Sequence, residues 1–262
     1  MEREFWNEKV VFSLSLASAL LVSSTGFVDA QAQSNSSGKQ SLLTSEAELS
    51  DAVLDSLTVD DFAKAYEMTE NDLDYNRMSE SEQNKYITSL YVSIVQDKNK
   101  QDKITTLSYL PGSYKSLNRL EKKLVQQHPA QAAMVYAASK RANQRTQALY
   151  KSGLHNGNGD AFRHTYWNAE LATMLGSGVF FNPNYGKVHA KKWTDAHEFG
   201  ASNQPALERK MDLHNNKVGL NIVTKKMSSR SLERAALKKV KDGACKRISK
   251  GKLVKTTGGN RK

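Results

Sequence analysis

The stretch HNGNGDAFRHTYWNAELATML, residues 155–175, decides how the rest of the sequence is interpreted. It opens with a run of Asn and Gly that is typical of a turn, and it passes directly into aromatic and aliphatic residues with helical spacing. We predict a helix from Asp160 to Leu175. Because each residue of a helix advances by about 100°, residues three and four positions apart share a face.

One face of this helix combines polar and apolar side chains. The apolar members turn the face towards the protein core, so the polar ones are expected at the mouth of that core, where burial perturbs pKa values. The Gly-Asn-Gly run before them lets a ligand or another backbone approach closely. In the alternative interpretation, Asp160 is only the N-cap and His164 is a hydrogen-bonded core residue. The face consists of Asp160, Arg163, His164, Trp167, Leu171, Met174 and Leu175.

A second predicted helix, Val188 to Phe199, carries the sequence TDAHE near its end. His197 lies on the apolar side of this helix, and Glu198 lies beside it at the edge. Asp195 lies away from that side, four residues after Lys191, so we expect these two side chains to form a solvated ion pair. No His follows Glu198 at the distance that the zinc-protease motif H-E-x-x-H requires.

A third predicted helix, Pro205 to Val223, has a polar strip between two apolar ones. Such a strip is expected to be partly buried, so its members must find polar partners. Glu208 and Asp212 are four residues apart and repel each other unless a cation, Arg163 or a metal ion, lies between them. His214 lies on an apolar stripe and is expected in the core. The polar strip consists of Glu208, Asp212, Asn215, Asn216 and Gly219.

The three helices can place seven polar residues in one site. Carboxylate and imidazole side chains together suit Zn or Mn, and the metal ligands predicted from the sequence are His164, His197 and Asp212. Without a metal, the same carboxylate and His pairs suit general acid–base hydrolysis. No spacing matches a strong metal motif, so the cofactor stays open. The predicted site consists of Asp160, Arg163, His164, His197, Glu198, Asp212 and Asn216.

Three motifs in this region, GDAFRHTYWNAEL, TDAHE and MDLHNNKVGLNI, together resemble an uncharacterised bacterial domain. That domain occurs in exported proteins and at the carboxyl-terminal ends of large secreted, wall-associated or toxin-like proteins. The resemblance covers Leu154 to Ile222. Because the function of the domain is not established, the resemblance implies a context rather than a reaction, and it favours a polar cluster that acts as one unit.

The first residues have the pattern of a secretory signal peptide, which we place at residues 1–32. The apolar run VVFSLSLASALLV is too short to span a membrane comfortably, and Ala30-Gln31-Ala32 fits a cleavage site. An acidic rather than basic start makes an uncleaved anchor the alternative. Cys245 is the single Cys, which excludes an intramolecular disulfide. We therefore expect a secreted or wall-associated protein with no stable membrane span after cleavage.

Composition divides the remaining chain into four segments. Strand patterns are scarce, with GKLVKT as the one candidate, so we predict a mainly α fold with a single multi-helix domain and a small acidic helical amino-terminal region. The segments are a polar linker at 33–44, an acidic helical region at 45–112, a basic helical domain at 113–248 and a basic, frayed tail at 249–262.

Charge is distributed unevenly along the chain. From Ser113 onward there are 29 Lys and Arg against 9 Asp and Glu, a net charge of +20, whereas the preceding residues have 9 against 18, a net charge of −9. The basic half predicts an anionic partner: nucleic acid, wall teichoic acid or an anionic lipid surface. The alternative is a basic protein without a specific polyanionic partner.

Three functions are compatible with these features. The first and favoured one is a secreted hydrolase acting on a phosphodiester, with Arg163 binding the anion and Glu198 as a further base. The second is a non-catalytic module that binds wall or nucleic acid and uses the polar cluster only to fix its helices. The third is an antibacterial toxin with the chemistry of the first.

Overall fold

The computed structural model describes residues 49–101 and 113–262, and these residues form a mainly helical structure, as predicted. They contain nine α-helices and one two-stranded sheet. No helix in these two ranges is both long enough and apolar enough to cross a membrane. The predicted signal peptide and linker lie outside the described residues.

We number the elements in chain order. The helices are α1 (Asp51–Asp55), α2 (Val59–Glu67), α3 (Glu80–Gln101), α4 (Arg119–Gln127), α5 (Pro129–Leu149), α6 (Asn158–Leu175), α7 (Pro183–Gly200), α8 (Ala206–Leu220) and α9 (Ser229–Lys241). The strands are β1 (Lys246–Ser249) and β2 (Lys252–Lys255), which form an antiparallel hairpin.

Helix α6 lies at the centre of the fold and is buried on every side. Within this helix, Arg163 is the one residue that is not fully buried. The sequence predicts one buried face, but α5, α7, α8 and α9 all pack against the helix. Small residues such as Ala161, Ala169 and Ala172 allow these neighbours to approach, and a helix surrounded in this way needs no solvent face.

Helices α2 and α3, which belong to the acidic segment at 45–112, share their core with α5. The ring centroid of Phe62 lies 5.0 Å from that of Tyr91 and 5.1 Å from that of Tyr136. Ion pairs join the same helices, among them Lys140 with Asp60 at 3.3 Å. The acidic segment and the basic helices therefore pack as one folded unit.

Helix starts follow the side chains that can bind free backbone N–H groups. Thr58 and Asp61 form a capping box at α2, as the T-x-x-D pattern indicates. Asn118 and Glu121 form another at α4, where the Asn118 N–H donates to Glu121 Oε2 at 3.0 Å. This second box fixes the direction of the Glu121 side chain.

Helix α8 turns its polar strip towards the centre of the molecule. Asn215, Asn216 and Gly219 are buried, and α8 packs against α6. The prediction that His214 lies in the core is wrong, since the residue is half-buried and its Nε2 lies 2.8 Å from the Ala244 carbonyl oxygen. The physical reason is that α6 offers polar partners to α8, so the polar strip takes the central position.

Residues 249–262 fold onto the domain, so the prediction of a frayed tail is wrong. Strand β2 pairs with β1, and the Lys151 N–H donates to the Asn260 carbonyl at 2.9 Å. Asn158 Nδ2 donates to Thr257 Oγ1 at 3.0 Å, and Asn158 Oδ1 accepts from the Thr257 N–H at 3.1 Å. Such long-range bonds leave no trace in local hydropathy, so the sequence pattern alone predicts a frayed tail.

Gly219 sets the spacing between α8 and α6. A Cβ at this position would lie 2.2 Å from the carbonyl oxygen of Thr165, which is too close for any side chain. We expect Gly219→Ala to lower the free energy of unfolding by about 2 kcal/mol or more, because the backbone of α6 would have to shift.

Gly178→Ala is the matched control for this substitution. A Cβ at Gly178 meets nothing nearer than 4.0 Å, so the stability of that variant should stay close to that of the wild type. Urea denaturation of the three proteins measures the difference. Equal stability of the two variants would show that α6 and α8 do not require this close approach.

Candidate functional site

The candidate site lies where the amino-terminal end of α6 meets the carboxyl-terminal end of α7 and the middle of α8. It opens into a cavity of about 240 Å³. Six of the seven residues predicted for the site line this cavity, and the seventh, Asn216, contacts His164 from behind. The structure thus places all the predicted residues in one region.

Asn216 fixes the orientation of the His164 ring. His164 Nδ1 lies 3.1 Å from Asn216 Oδ1, and the same oxygen accepts from Asn168 Nδ2 at 2.8 Å. Asn216 Nδ2 donates to Glu198 Oε1 at 3.2 Å, which agrees with Oδ1 as the acceptor atom of this amide. This network assigns the proton to His164 Nδ1, so Nε2 presents its lone pair to the cavity.

The lone pair on His164 Nε2 faces two carboxylates. Asp212 Oδ1 lies 3.4 Å from this nitrogen, and Asp160 Oδ1 lies 3.5 Å from it. Potential ligand atoms of the three residues all lie within 4.8 Å of one another. Burial and the Arg163 guanidinium lower the pKa of His164, which favours the neutral ring. Arg163 Nη2 pairs with Asp160 Oδ1 and lies 3.4 Å from His164 Nε2, so its charge compensates part of this group. Asp212 Oδ1 is left to a proton or a metal ion.

Asp212 is the member of this group with an unsatisfied oxygen. Its Oδ2 accepts from Gln204 Nε2 at 2.8 Å, but its buried Oδ1 accepts no hydrogen bond from the described residues. Burial, together with the charges of Glu198 and Asp160, raises the pKa of Asp212 well above its usual value. The Asp212 carboxyl group therefore holds a proton tightly or, when ionised, requires a cation beside it.

Asp160 is paired with the guanidinium of Arg163. Its Oδ2 also accepts from the Asn156 N–H at 2.6 Å. Burial opposes ionisation of Asp160, but the charge of Arg163 and the hydrogen bonds from Asn156 and Arg163 outweigh burial and lower the pKa of this carboxyl group. The N-cap of α6 is Gly157, so the interpretation of Asp160 as an ordinary N-cap does not hold.

Glu198 enters the site from the last turn of α7. The sequence predicts this residue at the edge of the helix, but the structure leaves its side chain only 1 % exposed. Gln204 Nε2 donates to Glu198 Oε2 at 2.9 Å, and Asn216 binds the other oxygen. Asp195, by contrast, pairs with Lys191 outside the site, as predicted.

His197 lies in the cavity wall, apart from the group formed by the two Asp and His164. Its Nδ1 lies 2.8 Å from Glu121 Oε1, so this ring nitrogen already has a polar partner. The metal ligands predicted from the sequence are His164, His197 and Asp212. The structure groups His164 and Asp212 with Asp160 rather than with His197.

Sequence reasoning missed two residues of the site, Gln204 and Glu121. Gln204 bridges Glu198 and Asp212 through one amide nitrogen, and it lies in the loop between α7 and α8, where no periodic pattern marks it. Glu121 could have been found, because the spacing of Asn118 and Glu121 is that of a capping box.

Comparison with known proteins gives a match over part of the chain. Residues 122–247 match the family model of a domain of unknown function, DUF6973. The matched residues contain α6, α7 and α8, so Asp160, His164 and Asp212 all lie within the DUF6973 match. No curated protein and no solved structure matches the chain. The predicted resemblance to an uncharacterised domain is confirmed at this level.

The His197–Glu121 pair makes the stability of the fold depend on pH. Burial lowers the pKa of His197, but the hydrogen bond and charge of Glu121 outweigh it, so this pKa lies above the usual value. A pKa raised on folding stabilises the folded state below the unfolded pKa of about 6.5, and the stabilisation is lost as pH rises through the folded pKa. We expect the contribution of this pair to the free energy of unfolding to fall as pH rises from about 6.5 through the raised pKa of His197.

Glu121→Gln keeps a hydrogen-bond acceptor for His197 and removes the charge. The fall in stability with rising pH should therefore be smaller in this variant than in the wild type, because His197 loses the partner that raises its pKa. Chemical denaturation at several pH values measures both slopes. An identical pH dependence in the two proteins would contradict the assigned role of this pair.

Proposed function

We propose that this domain is a secreted hydrolase that binds a divalent metal ion, Zn or Mn, through Asp160, His164 and Asp212 and cleaves a phosphodiester. The observation that carries the proposal is the group of three potential ligand atoms within 4.8 Å of one another beside a cavity. Within this group, Asp212 Oδ1 is buried and accepts no hydrogen bond from the described residues. A buried carboxylate oxygen in this state is suited to a cation.

The spacing of the atoms suits one metal ion. Zinc binds His nitrogen and carboxylate oxygen at about 2.0–2.2 Å, so two ligands of a tetrahedral ion lie about 3.4 Å apart. The two distances from His164 Nε2, 3.4 Å to Asp212 Oδ1 and 3.5 Å to Asp160 Oδ1, are close to that value. Three protein ligands would leave a fourth position for water or substrate, which is the pattern of catalytic zinc sites.

The residues around this group have the properties that hydrolysis needs. A bound metal ion would supply hydroxide at neutral pH and would polarise a phosphoryl oxygen. Glu198, oriented by two amides and 3.6 Å from the His164 ring, is the proposed base for the proton of the attacking water. Arg163, which lines the cavity beside Asp160, is the proposed anion-binding side chain.

The charge of the cavity links the metal ion to an anionic substrate. Five carboxylates line the cavity against a single Arg, and without a cation they would repel a phosphodiester. The basic half of the chain, with its net charge of +20, would draw a polyanion such as nucleic acid, wall teichoic acid or anionic lipid towards the site. The carboxylates are those of Glu121, Asp160, Glu198, Glu208 and Asp212.

The cellular context is part of the proposal. The apolar run at residues 10–22 and the small residues after it support export through a cleaved signal peptide. The resemblance to domains of secreted, wall-associated and toxin-like proteins supports action outside the cell, including action on competing bacteria. A toxin of this kind would use the same residues and the same chemistry.

A non-catalytic binding module is the second candidate function. The observation that favours it is that polar groups of the site hydrogen-bond to one another. The single side chain of Asn216 contacts Asn168, His164 and Glu198. Such a network can serve only to fix the positions of α6, α7 and α8. In that case, substitutions in the site would change stability and nothing else.

Metal analysis tests the first part of the proposal. We expect the purified protein to bind Zn or Mn, and Asp160→Asn or Asp212→Asn to weaken binding by at least about 10-fold, because each removes a charged ligand. Asp195→Asn is the matched control, since it removes a half-buried carboxylate of α7 that lies outside the site. Elemental analysis after dialysis and calorimetric titration measure the binding. A wild-type protein that takes up neither metal at saturating concentration would refute the site.

Activity screens test the second part. A soluble phosphodiester such as bis-p-nitrophenyl phosphate, nucleic acid, teichoic acid and phospholipid should be offered to the metal-loaded protein. We expect His164→Ala and Asp212→Asn to lower turnover by at least about 100-fold, and Asp195→Asn to leave it unchanged. Circular dichroism confirms that each variant is folded. The binding-module hypothesis predicts the opposite pattern: loss of stability in the site variants and no turnover in any protein.

A further inference from the structure

The loop between α6 and α7 exposes apolar side chains that the proposed hydrolase does not use. Val179 is 68 % exposed and Phe180 is 88 % exposed. The apolar surface continues onto the first turns of α7, where Val188 is 66 % exposed and Tyr185 is 39 % exposed. Val179 and Tyr185 line one surface pocket, which places the loop beside the helix. We name these four residues the apolar patch.

The loop presents Phe180 through a closed and anchored backbone. The Asn182 N–H donates to the Gly176 carbonyl at 2.9 Å, which closes the loop at its base. Asn182 Oδ1 then accepts from the Tyr185 N–H at 3.0 Å and caps α7. Phe181, next to the exposed ring, packs against the hydrophobic core. With its neighbours fixed in this way, Phe180 projects into solvent as part of an ordered turn.

Lysine side chains surround the apolar patch on α7. Lys187 adjoins Val188, and Lys191 and Lys192 follow it at three and four positions, so these residues share the exposed side of the helix. Lys187 makes no ion pair with any residue in the described ranges. Two carboxylates oppose the three lysines: Asp195 pairs with Lys191, and Glu80 accepts from Tyr185 Oη at 3.2 Å. The surroundings of the patch are therefore basic on balance.

We propose that the apolar patch docks on an anionic lipid bilayer, with Val179 and Phe180 inserted among the acyl chains and the lysines of α7 at the headgroup phosphates. Exposed apolar side chains bordered by cations are the two components that drive binding at a membrane surface. A protruding Val and Phe suit a hydrocarbon layer, whereas single-stranded nucleic acid is bound by aromatic rings along a basic groove. The observations therefore favour lipid over nucleic acid as the partner of this surface.

The position of the patch separates docking from hydrolysis. Helix α7 has 18 residues and is therefore about 27 Å long. The patch lies at its first turns, and Glu198 lies at its last. Tyr185 and Glu198 are therefore about 20 Å apart along the helix axis, so the lipid that binds the patch is not the molecule that reaches the cavity. The proposal is independent of the proposed hydrolase function.

Vesicle sedimentation tests the docking proposal with the full chain. We expect the wild type to bind vesicles of phosphatidylglycerol and phosphatidylcholine, and to bind vesicles of phosphatidylcholine alone at least about 10-fold more weakly, because the lysines lose their partners. The double variant with Val179→Ser and Phe180→Ser should bind the anionic vesicles at least about 10-fold more weakly than the wild type. Both proteins carry the same amino terminus, so their difference reports on the patch.

Two controls make the result decisive. Phe199→Ser removes another exposed aromatic ring, at the opposite end of α7, and should bind anionic vesicles as the wild type does. Asp212→Asn should also bind them normally, whatever its turnover, which keeps this result apart from the test of the hydrolase. Equal vesicle binding by the wild type and the double variant overturns the proposal. So does a double variant that loses binding to nucleic acid while it still binds vesicles.

Discussion

The amide of Asn216 is the contact on which the candidate site depends. It accepts from Asn168 and from the ring of His164, and it donates to Glu198, so one side chain of α8 joins α6 and α7. Helix α8 can reach this position because Gly219 allows its backbone to approach Thr165. The ring orientation of His164, and with it the direction of its lone pair, therefore depends on the close packing of α8 against α6 at Gly219, less than one turn from Asn216.

Burial gives the ionisable groups of this region properties they would not have at a surface. Asp160 and Arg163 neutralise each other, whereas Asp212 has no cationic partner of its own and its pKa rises. A buried carboxyl group in this state costs stability unless a proton or a cation compensates it. In this fold the Asp212 carboxyl group lies beside a cavity and accepts from the bridging amide of Gln204. This combination, rather than the mere presence of Asp and His, is the reason for proposing a cation site here.

The sequence predicted those features that depend on local spacing. The common face of Asp160, Arg163 and His164, the ion pair of Lys191 with Asp195, and the helical class are all properties of residues a few positions apart. It missed features set by contacts between distant segments. Gln204 lies in a loop without a periodic sequence pattern. His214 lies outside the core because the polar strip of α8, rather than its apolar stripe, packs against α6.

Helical periodicity also underestimated how completely α6 is surrounded. A helix with alternating polar and apolar residues is normally assigned a solvent face. Here the polar residues of α6 face polar residues of α7 and α8, so their burial needs no apolar side chain. The grouping of Asp160 with Asp212 in place of His197 follows from the same geometry, since Glu121 of α4 binds His197. Spacing within one helix does not contain that information.

The hairpin of β1 and β2 braces the loop that holds Asp160. The Ile248 N–H of β1 donates to the Asn156 carbonyl at 2.8 Å, and the N–H of the same Asn binds Asp160. Asn156 has a φ of 58°, a left-handed backbone conformation that this external bond helps to hold. Residues far from the three helices in sequence therefore support the loop that holds the Asp160 carboxylate. Damage to this hairpin would reach the cavity indirectly, through the loop before α6.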